Sequence, residues 1–297
     1  MKSGFVSIIG RPNAGKSTLL NAFVKQKISI VSWRPQTTRN KITGILTDKE
    51  KGFQLVFLDT PGIHTPKNAL GVYMQKVVKQ SLDDIDVILY VHDSGRELTT
   101  KDIELLTETA KRNKTIVVLN KTDEVTDDKV MSLIGKLKDV NALSIVPASA
   151  KNRVNLDIII DEILKVINEG VQYYPDDMVT DRTMRFLVTE IVREKALKNL
   201  SQEVPHGIGV EVTSYSERKQ SGIVDISVDI ICEKQTHKAI IIGKNGSMLK
   251  KILTDARLDM ERLLESKVFL KGYVKVKEDW RDNTSLLSEL GYNKSEI

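Results

Sequence analysis

The sequence predicts two dissimilar domains: an α/β domain with a mostly parallel six-stranded sheet and helices on both faces, then a smaller α+β domain. Three observations point there. Through residue 171, near-continuous β-branched runs alternate with helical patterns, as buried parallel strands and their crossover helices do. A polar stretch containing proline then breaks the alternation. Beyond it, strands follow one another with helices on either side, the order of an α+β unit. A length of 297 residues also suits two cores better than one.

Taken in order, FVSIIG (5–10) reads as the first strand and KSTLLNAFVKQ (16–26) as the helix after it. FQLVFLDT (53–60), DVILYVHD (86–93), KTIVVLN (114–120) and ALSIVPASA (142–150) continue the strands, with helices at TKDIELLTETAKR (100–112) and VNLDIIIDEILKVINE (154–169). QYYPDDMVTDR (172–182) is the break. The second domain opens with a helix, TMRFLVTEIVREKALKNL (183–200), and two strands, GIGVEVTSYSE (207–217) and GIVDISVDII (222–231). A glycine loop inside helical sequence follows, and then a strand, KVFLKGYVKVKE (267–278). The expected divisions are 1–171 for the first domain, 172–181 for a linker and 182–297 for the second domain with its tail.

Composition narrows the function classes. Hydrophobic residues make up 40% and charged residues 29%, as in ordinary globular proteins. No apolar run approaches the roughly 20 residues that span a bilayer, and MKSGFVSIIG lacks a signal peptide's core and cleavage site, so a cytoplasmic location is expected. The single cysteine, Cys232, excludes an internal disulfide framework and a Cys-rich zinc site. It shares the alternation of Val224, Ile226, Val228 and Ile230, which predicts a packed strand thiol. His64, His92, His206 and His237 show no ligand-like spacing. The net charge of +5 hints at polyanions.

The strongest motif is Gly10-Arg-Pro-Asn-Ala-Gly15-Lys16-Ser17, which fits G-x-x-x-x-G-K-[ST] between a strand and a helix. Its backbone N–H groups, over Asn13, Ala14, Gly15, Lys16, Ser17 and Thr18, are expected to cradle phosphates. Lys16 is placed to reach the β and γ oxygens, and the Ser17 hydroxyl to ligate Mg²⁺. Asp59-Thr60-Pro61-Gly62 ends the next apolar strand, where Asp59 can hold Mg²⁺ through water and the Gly62 N–H can sense a γ-phosphate. Asn120-Lys121-Thr122-Asp123 ends another strand, and the Asp123 carboxylate can accept from guanine N1–H and N2–H₂, a donor pair that adenine lacks. Ser149-Ala150-Lys151 ends the following strand, where a backbone N–H can meet guanine O6. Each tetrad alone is weak. Four in this order, each at a strand's carboxyl end, point to GTP.

Between the first two motifs lies SWRPQTTRNKITG (32–44), a polar stretch that reads as a loop able to order around Mg²⁺ and the γ-phosphate. Thr38 is the expected metal-reaching threonine and a catalytic element with Lys16 and Gly62; Thr37 is the substitute. Ile63 stands where Ras-like GTPases place a water-orienting glutamine, and it can neither donate nor accept. Slow intrinsic turnover is therefore expected, with His64 a weak candidate base.

A second glycine loop, IIIGKNGSMLKKI (240–252), lacks the G-K-[ST] ending and follows helical sequence. With 17 glycines in the chain, G-x-x-G alone carries nothing, so its weight comes from its surroundings. The following helix puts Leu249, Ile252, Leu253, Ala256, Met260, Leu263 and Leu264 on one face. Residues 234–281 hold twelve Lys/Arg against six Asp/Glu. Such a loop can bring Gly243, Lys244, Asn245 and Gly246, with Lys250 and Lys251, against a phosphodiester backbone. The bland alternative is a helix-helix turn with a solvated basic face.

GRPNAGKS, QTTRN, DTPG with an apolar residue after it, NKTD, SAK and the K-homology (KH) sequence around GKNG together resemble the bacterial Era GTPases. These are TrmE-Era-EngA-Septin-like P-loop GTPases with a C-terminal KH domain of the second type. The resemblance implies a monomeric GTP-switched factor in small (30S) ribosomal subunit assembly. Its KH domain would bind near the 3′ end of 16S rRNA, part of its pool would sit peripherally on the cell membrane, and it would be coupled to cell growth and division. It also implies that Asn13 helps hold a K⁺ ion in place of an arginine finger. Two other readings stay open: an RNA-binding assembly module in which GTP is mainly structural, and a membrane-surface protein.

Overall fold

The computed structural model describes residues 1–34, 36–63 and 65–292. His64 therefore lies outside the described residues. The chain forms two compact units: Met1–Ser29, Thr38–Thr65 and Met74–Asp181 in the first, and Ile30–Thr37, Pro66–Tyr73 and Arg182–Ile297 in the second. This is not the simple succession that the sequence suggests, because two short N-terminal segments group with the second unit. Residues 172–181 group with the first unit, for a local reason. The Gln54 side chain accepts from the N–H groups of Tyr173 and Tyr174 at 2.8 and 3.0 Å, and Ile45 N–H donates to the Val179 carbonyl at 2.8 Å.

The first unit contains β1 (Lys2–Gly10), α1 (Lys16–Val24), β2 (Ile42–Asp48) and β3 (Phe53–Asp59), then α2 (Ala69–Gln80), β4 (Val87–Asp93) and α3 (Thr100–Arg112). It ends with β5 (Thr115–Asn120), α4 (Asp127–Leu137), β6 (Ser144–Pro147) and α5 (Leu156–Val166). The first residues of α2 group with the second unit. Six strands run in the order β2-β3-β1-β4-β5-β6, all parallel except the antiparallel β2–β3 pair. β3, β4 and β5 are buried along their whole lengths, which is why they read as unbroken apolar runs. The strand not located in sequence is β2, whose first residues fall inside the stretch read as a loop. Its Gly44 interrupts the apolar pattern for a packing reason: a Cβ there would lie 2.4 Å from Leu20 Cδ1 of α1.

The second unit contains α6 (Met184–Asn199), β7 (Gly209–Glu217), β8 (Val224–Cys232), α7 (Gln235–Ile242), α8 (Ser247–Leu264), β9 (Val268–Val276) and α9 (Thr284–Glu289). β7 and β8 pair antiparallel, whereas β8 and β9 pair parallel, so α7 and α8 form the crossover that a parallel pair requires. Val224, Ile226, Val228, Ile230 and Cys232 all point into one core with Ile252, Ala256 and Met260 of α8. Cys232 is thus the packed thiol expected, and burial pushes its pKa up. The C-terminal tail is part of this unit: Trp280 is fully buried, donates to the Gly207 carbonyl at 2.9 Å and stacks on Tyr292.

The two early segments are built firmly into this unit. Arg34 donates through Nε to the Leu197 carbonyl at 2.7 Å and through Nη2 to the Leu200 carbonyl. These are orphan acceptors at the end of α6, so a buried guanidinium caps the helix. Val31 N–H donates to Glu194 at 3.2 Å, and the fully buried Arg193 donates to the Thr37 carbonyl and, at 2.8 Å through Nε, to Glu190. Further on, the N–H groups of Ala69 and Leu70 donate to the Asp282 carboxylate and the Arg281 carbonyl, each at 2.9 Å.

Candidate nucleotide site and nucleic-acid groove

The phosphate loop joins β1 to α1 at the carboxyl edge of the sheet, where open α/β sheets bind ligands. Asn13 (φ 65°) and Gly15 (φ 96°) adopt left-handed backbone, turning successive N–H groups to one side. Glycine is obligatory at 15, since a Cβ would lie 2.1 Å from Asn120 Nδ2. Lys16 is buried and curls back to donate to the carbonyls of Gly10 and Arg11 at 3.2 and 3.1 Å. Burial lowers its pKa to about 8, against the opposing charge of Asp59. A neighbour that spacing did not reveal is Asp102 of α3, which accepts from Arg11 of the loop at 2.5 Å.

Ser17, Thr38 and Asp59 lie together. Ser17 Oγ donates to Asp59 Oδ2 at 2.6 Å and lies 2.9 Å from Thr38 Oγ1. Thr37 instead donates to the Arg34 carbonyl at 2.6 Å, which leaves Thr38 as the threonine at this cluster. Asp59 is fully buried, and desolvation raises its pKa despite Lys16 and the hydroxyls around it. Its Oδ1 has no hydrogen-bond partner. A buried, unpaired carboxylate oxygen beside two hydroxyls is the oxygen donor set that a hard divalent cation requires.

Gly62 passes close to the phosphate loop, a Cβ there falling 2.7 Å from Pro12, and the next N–H, of Ile63, donates to the Gly10 carbonyl at 3.1 Å. The Ile63 side chain packs against the apolar cluster containing Ile9, Leu106 and Leu119. It offers no polar atom to a water molecule.

The residues expected to meet the base also lie together. Asn120 bridges two loops, donating to the Ala14 carbonyl at 2.9 Å and accepting from Ala150 N–H at 3.0 Å. Asp123 accepts from Ser149 Oγ at 2.6 Å, while the largely exposed Lys151 lies 3.8 Å from its other oxygen. Lys121 donates to Asp93 Oδ2 at 2.6 Å. Asp93, on the neighbouring strand end, is a residue that the sequence reading did not single out.

In the second unit, Gly243-Lys244-Asn245-Gly246 joins α7 to α8. Gly243 (φ 72°) cannot carry a side chain, because a Cβ would meet Met248 Cβ at 2.8 Å. Gly246 (φ 77°) faces open space, so a ligand backbone can approach it. Lys244, Asn245, Lys250 and Lys251 are exposed. Gly246 and Lys250 line a groove of about 330 Å³ with an apolar floor from Leu249, Leu253 and Leu270 and with Thr254 and Arg257 beside it. Lys244, Asn245 and Lys251 are not part of that lining. The floor residue Leu270 comes from β9, a contact that helix periodicity alone does not predict.

Family models match both regions: one described as 50S ribosome-binding GTPase over residues 5–121, and one described as KH domain over residues 203–281. With the geometry above, they define the class, a P-loop GTPase carrying a C-terminal KH domain. The chain is 50% identical over 296 residues to GTPase Era of Clostridium perfringens, covering 99% of each, and 49% identical over 294 residues to GTPase Era of Clostridium kluyveri. It belongs to the Era family of GTPases. Among solved structures, Era in complex with MgGDPNP and nucleotides 1506–1542 of 16S ribosomal RNA matches with a TM-score of 0.94 at 39% identity, covering 98% of this chain and 99% of that one. A variant of Aquifex aeolicus Era bound to GDP.AlF4⁻ matches with a TM-score of 0.93, at the same identity and coverage.

Proposed function

We propose that this protein is a slow GTP-driven switch that binds Mg²⁺·GTP in its first unit and 16S rRNA near the 3′ end through its KH groove, acting in small ribosomal subunit assembly. The observation that carries this reading is the pairing, on one chain, of the complete guanine-nucleotide set with an open glycine-loop groove having an apolar floor and a basic rim. The relative solved with MgGDPNP and a 16S fragment supports the choice of ligands. A monomer with a cytoplasmic pool and a peripheral membrane pool belongs to the same proposal. No helix among the described residues is long and apolar enough to cross a membrane.

Ser17, Thr38 and Asp59 would hold Mg²⁺, with Asp59 acting through water. The ion would supply neutralisation of the phosphate charge. Lys16 would leave the carbonyls of Gly10 and Arg11 for phosphate oxygens, exchanging neutral acceptors for charged ones. Asn120 holds the phosphate loop and the Ser149-Ala150-Lys151 loop in register. Asp123 would pair guanine N1–H and N2–H₂. With Ile63 committed to apolar packing, the attacking water must be oriented by other groups, such as the Gly62 backbone, and turnover is slow.

A K⁺ ion beside Asn13 would supply the missing charge, so GTP hydrolysis is expected to run several-fold faster in K⁺ than in Na⁺ buffer. Equal rates in the two buffers remove that ion from the mechanism. The switch output would pass through Ile30–Thr37 and Pro66–Tyr73, which group with the second unit although their chain neighbours Ser29, Thr38 and Thr65 group with the first.

The RNA assignment is tested by replacing Lys244 and Asn245 with aspartate together. Binding of an oligonucleotide carrying the 16S 3′ end is expected to fall by at least about 100-fold in a filter titration, because a glycine-loop clamp cannot hold phosphates beside two carboxylates. Basal GTP hydrolysis should stay within about twofold. Unchanged RNA affinity sinks the groove assignment. Equal RNA affinity of the parent chain with GDP and with a GTP analogue instead sinks the switch, since coupling between two ligands must be reciprocal.

A further inference from the structure

Three hydroxyls surround the Asp59 carboxylate, those of Ser17, Thr38 and Ser29. In the reading above, Ser17 and Thr38 are themselves drawn to the metal. Ser29 serves the carboxylate alone: its Oγ donates to Asp59 Oδ2 at 2.9 Å, and the residue is completely buried. With Oδ2 held from two sides by Ser17 and Ser29, the carboxylate cannot rotate about Cβ–Cγ without breaking a bond. Its other oxygen, Oδ1, is then left as the unpartnered atom.

The position of Ser29 is itself built. Asn21, on α1, accepts from Ile28 N–H at 3.0 Å and Ser29 N–H at 2.9 Å, and its Nδ2 donates to the Ser29 carbonyl at 2.6 Å. The flanking Ile28 and Ile30 are both buried. One amide side chain thus saturates the backbone of Ser29 and leaves its hydroxyl free to turn toward the acid. α1 begins at the phosphate loop, so the arrangement Asn21–Ser29–Asp59 refers the carboxylate's orientation to the helix that starts the nucleotide site.

We propose that Ser29 is a positioning residue for Mg²⁺, holding Asp59 in the orientation the ion needs, with Asn21 fixing Ser29 in turn. This rests on the assignment of Asp59 to the metal. Hydrogen-bond donors behind a ligating or water-bridging carboxylate tune metal affinity without touching the ion. Because the Ser29 hydroxyl bonds to Asp59, its removal should weaken the metal while sparing the contacts that hold base and phosphate.

The test uses the full-length chain loaded with a fluorescent GDP analogue, with nucleotide release followed as free Mg²⁺ is varied. Ser29→Ala is expected to raise the Mg²⁺ concentration for half-maximal retention by about tenfold, with affinity for the analogue in EDTA held within about twofold. Asn21→Ala should shift the same curve in the same direction, although it removes no group from Asp59. Direct Mn²⁺ binding, read by electron paramagnetic resonance, should weaken in parallel. An unmoved Mg²⁺ midpoint in Ser29→Ala overturns the proposal. So does equal loss of affinity with and without metal, which would make Ser29 a general structural support. If the parent chain retains nucleotide independently of Mg²⁺, it is the metal assignment that falls, and the Ser29 proposal falls with it.

Discussion

Replacing Asp123 with asparagine is expected to shift base preference from GTP to xanthosine triphosphate by roughly 10³–10⁵. In the folded protein the Asp123 carboxylate is mostly buried and already oriented by the Ser149 hydroxyl at 2.6 Å, so little reorganisation precedes base binding. Guanine brings two donors to an acceptor pair. An amide at the same place turns one acceptor into a donor, which then faces a donor of guanine in a desolvated pocket. Xanthine presents a carbonyl there instead and restores the match. The amide oxygen can still accept from Ser149, so the loop should keep its shape. Competition between GTP and xanthosine triphosphate for a fluorescent analogue measures the change directly. An unchanged preference would remove Asp123 from base recognition.

Arg193→Ala is expected to cost about 3–5 kcal/mol of stability, the range for breaking a buried ion pair by removing one partner. Arg193 has no exposed surface, and Glu190, its partner at 2.8 Å, is nearly as buried. Truncation leaves that carboxylate without its charge partner, strips the Thr37 carbonyl of its donor and opens a cavity in α6. Arg193→Lys should fall between, because an ammonium keeps the charge but cannot fork between the carboxylate and the carbonyl. Urea unfolding followed by circular dichroism provides the values. A loss under about 1 kcal/mol in Arg193→Ala would show that the pair adds little.

What could be read from the sequence follows from where each feature gets its meaning. The four nucleotide motifs lie in short loops at strand ends, each contiguous and preceded by an unmistakable apolar run, so their order and spacing were legible. The Gly243–Gly246 loop was legible as a loop and, from the face of the following helix, as part of a packed unit. The partners that finish each site were not. Ser29 and Asp59 are 30 residues apart, Lys121 and Asp93 are 28 apart, and Arg11 and Asp102 are 91 apart. A serine in a Lys-Ile-Ser-Ile context carries no local signal of such a role. β2 was obscured because Gly44 makes room for α1, so its pattern served a neighbour rather than its own strand. The grouping of Ile30–Thr37 with the second unit was equally hidden, since Arg34 and Thr37 find their partners on α6, about 160 residues later.

That last arrangement bears on how the molecule can be cut. A fragment beginning at Arg182 would carry every KH element, yet it would lack the guanidinium that closes the end of α6 and the carbonyl that receives Arg193. It would also lose the backbone donors of Val31, Ala69 and Leu70. The second unit is therefore no detachable cassette: it is completed by strips of chain made long before it. During synthesis from the N-terminus those strips must wait for most of the chain to appear before they find their seats, so the half made last is finished by pieces of the half made first.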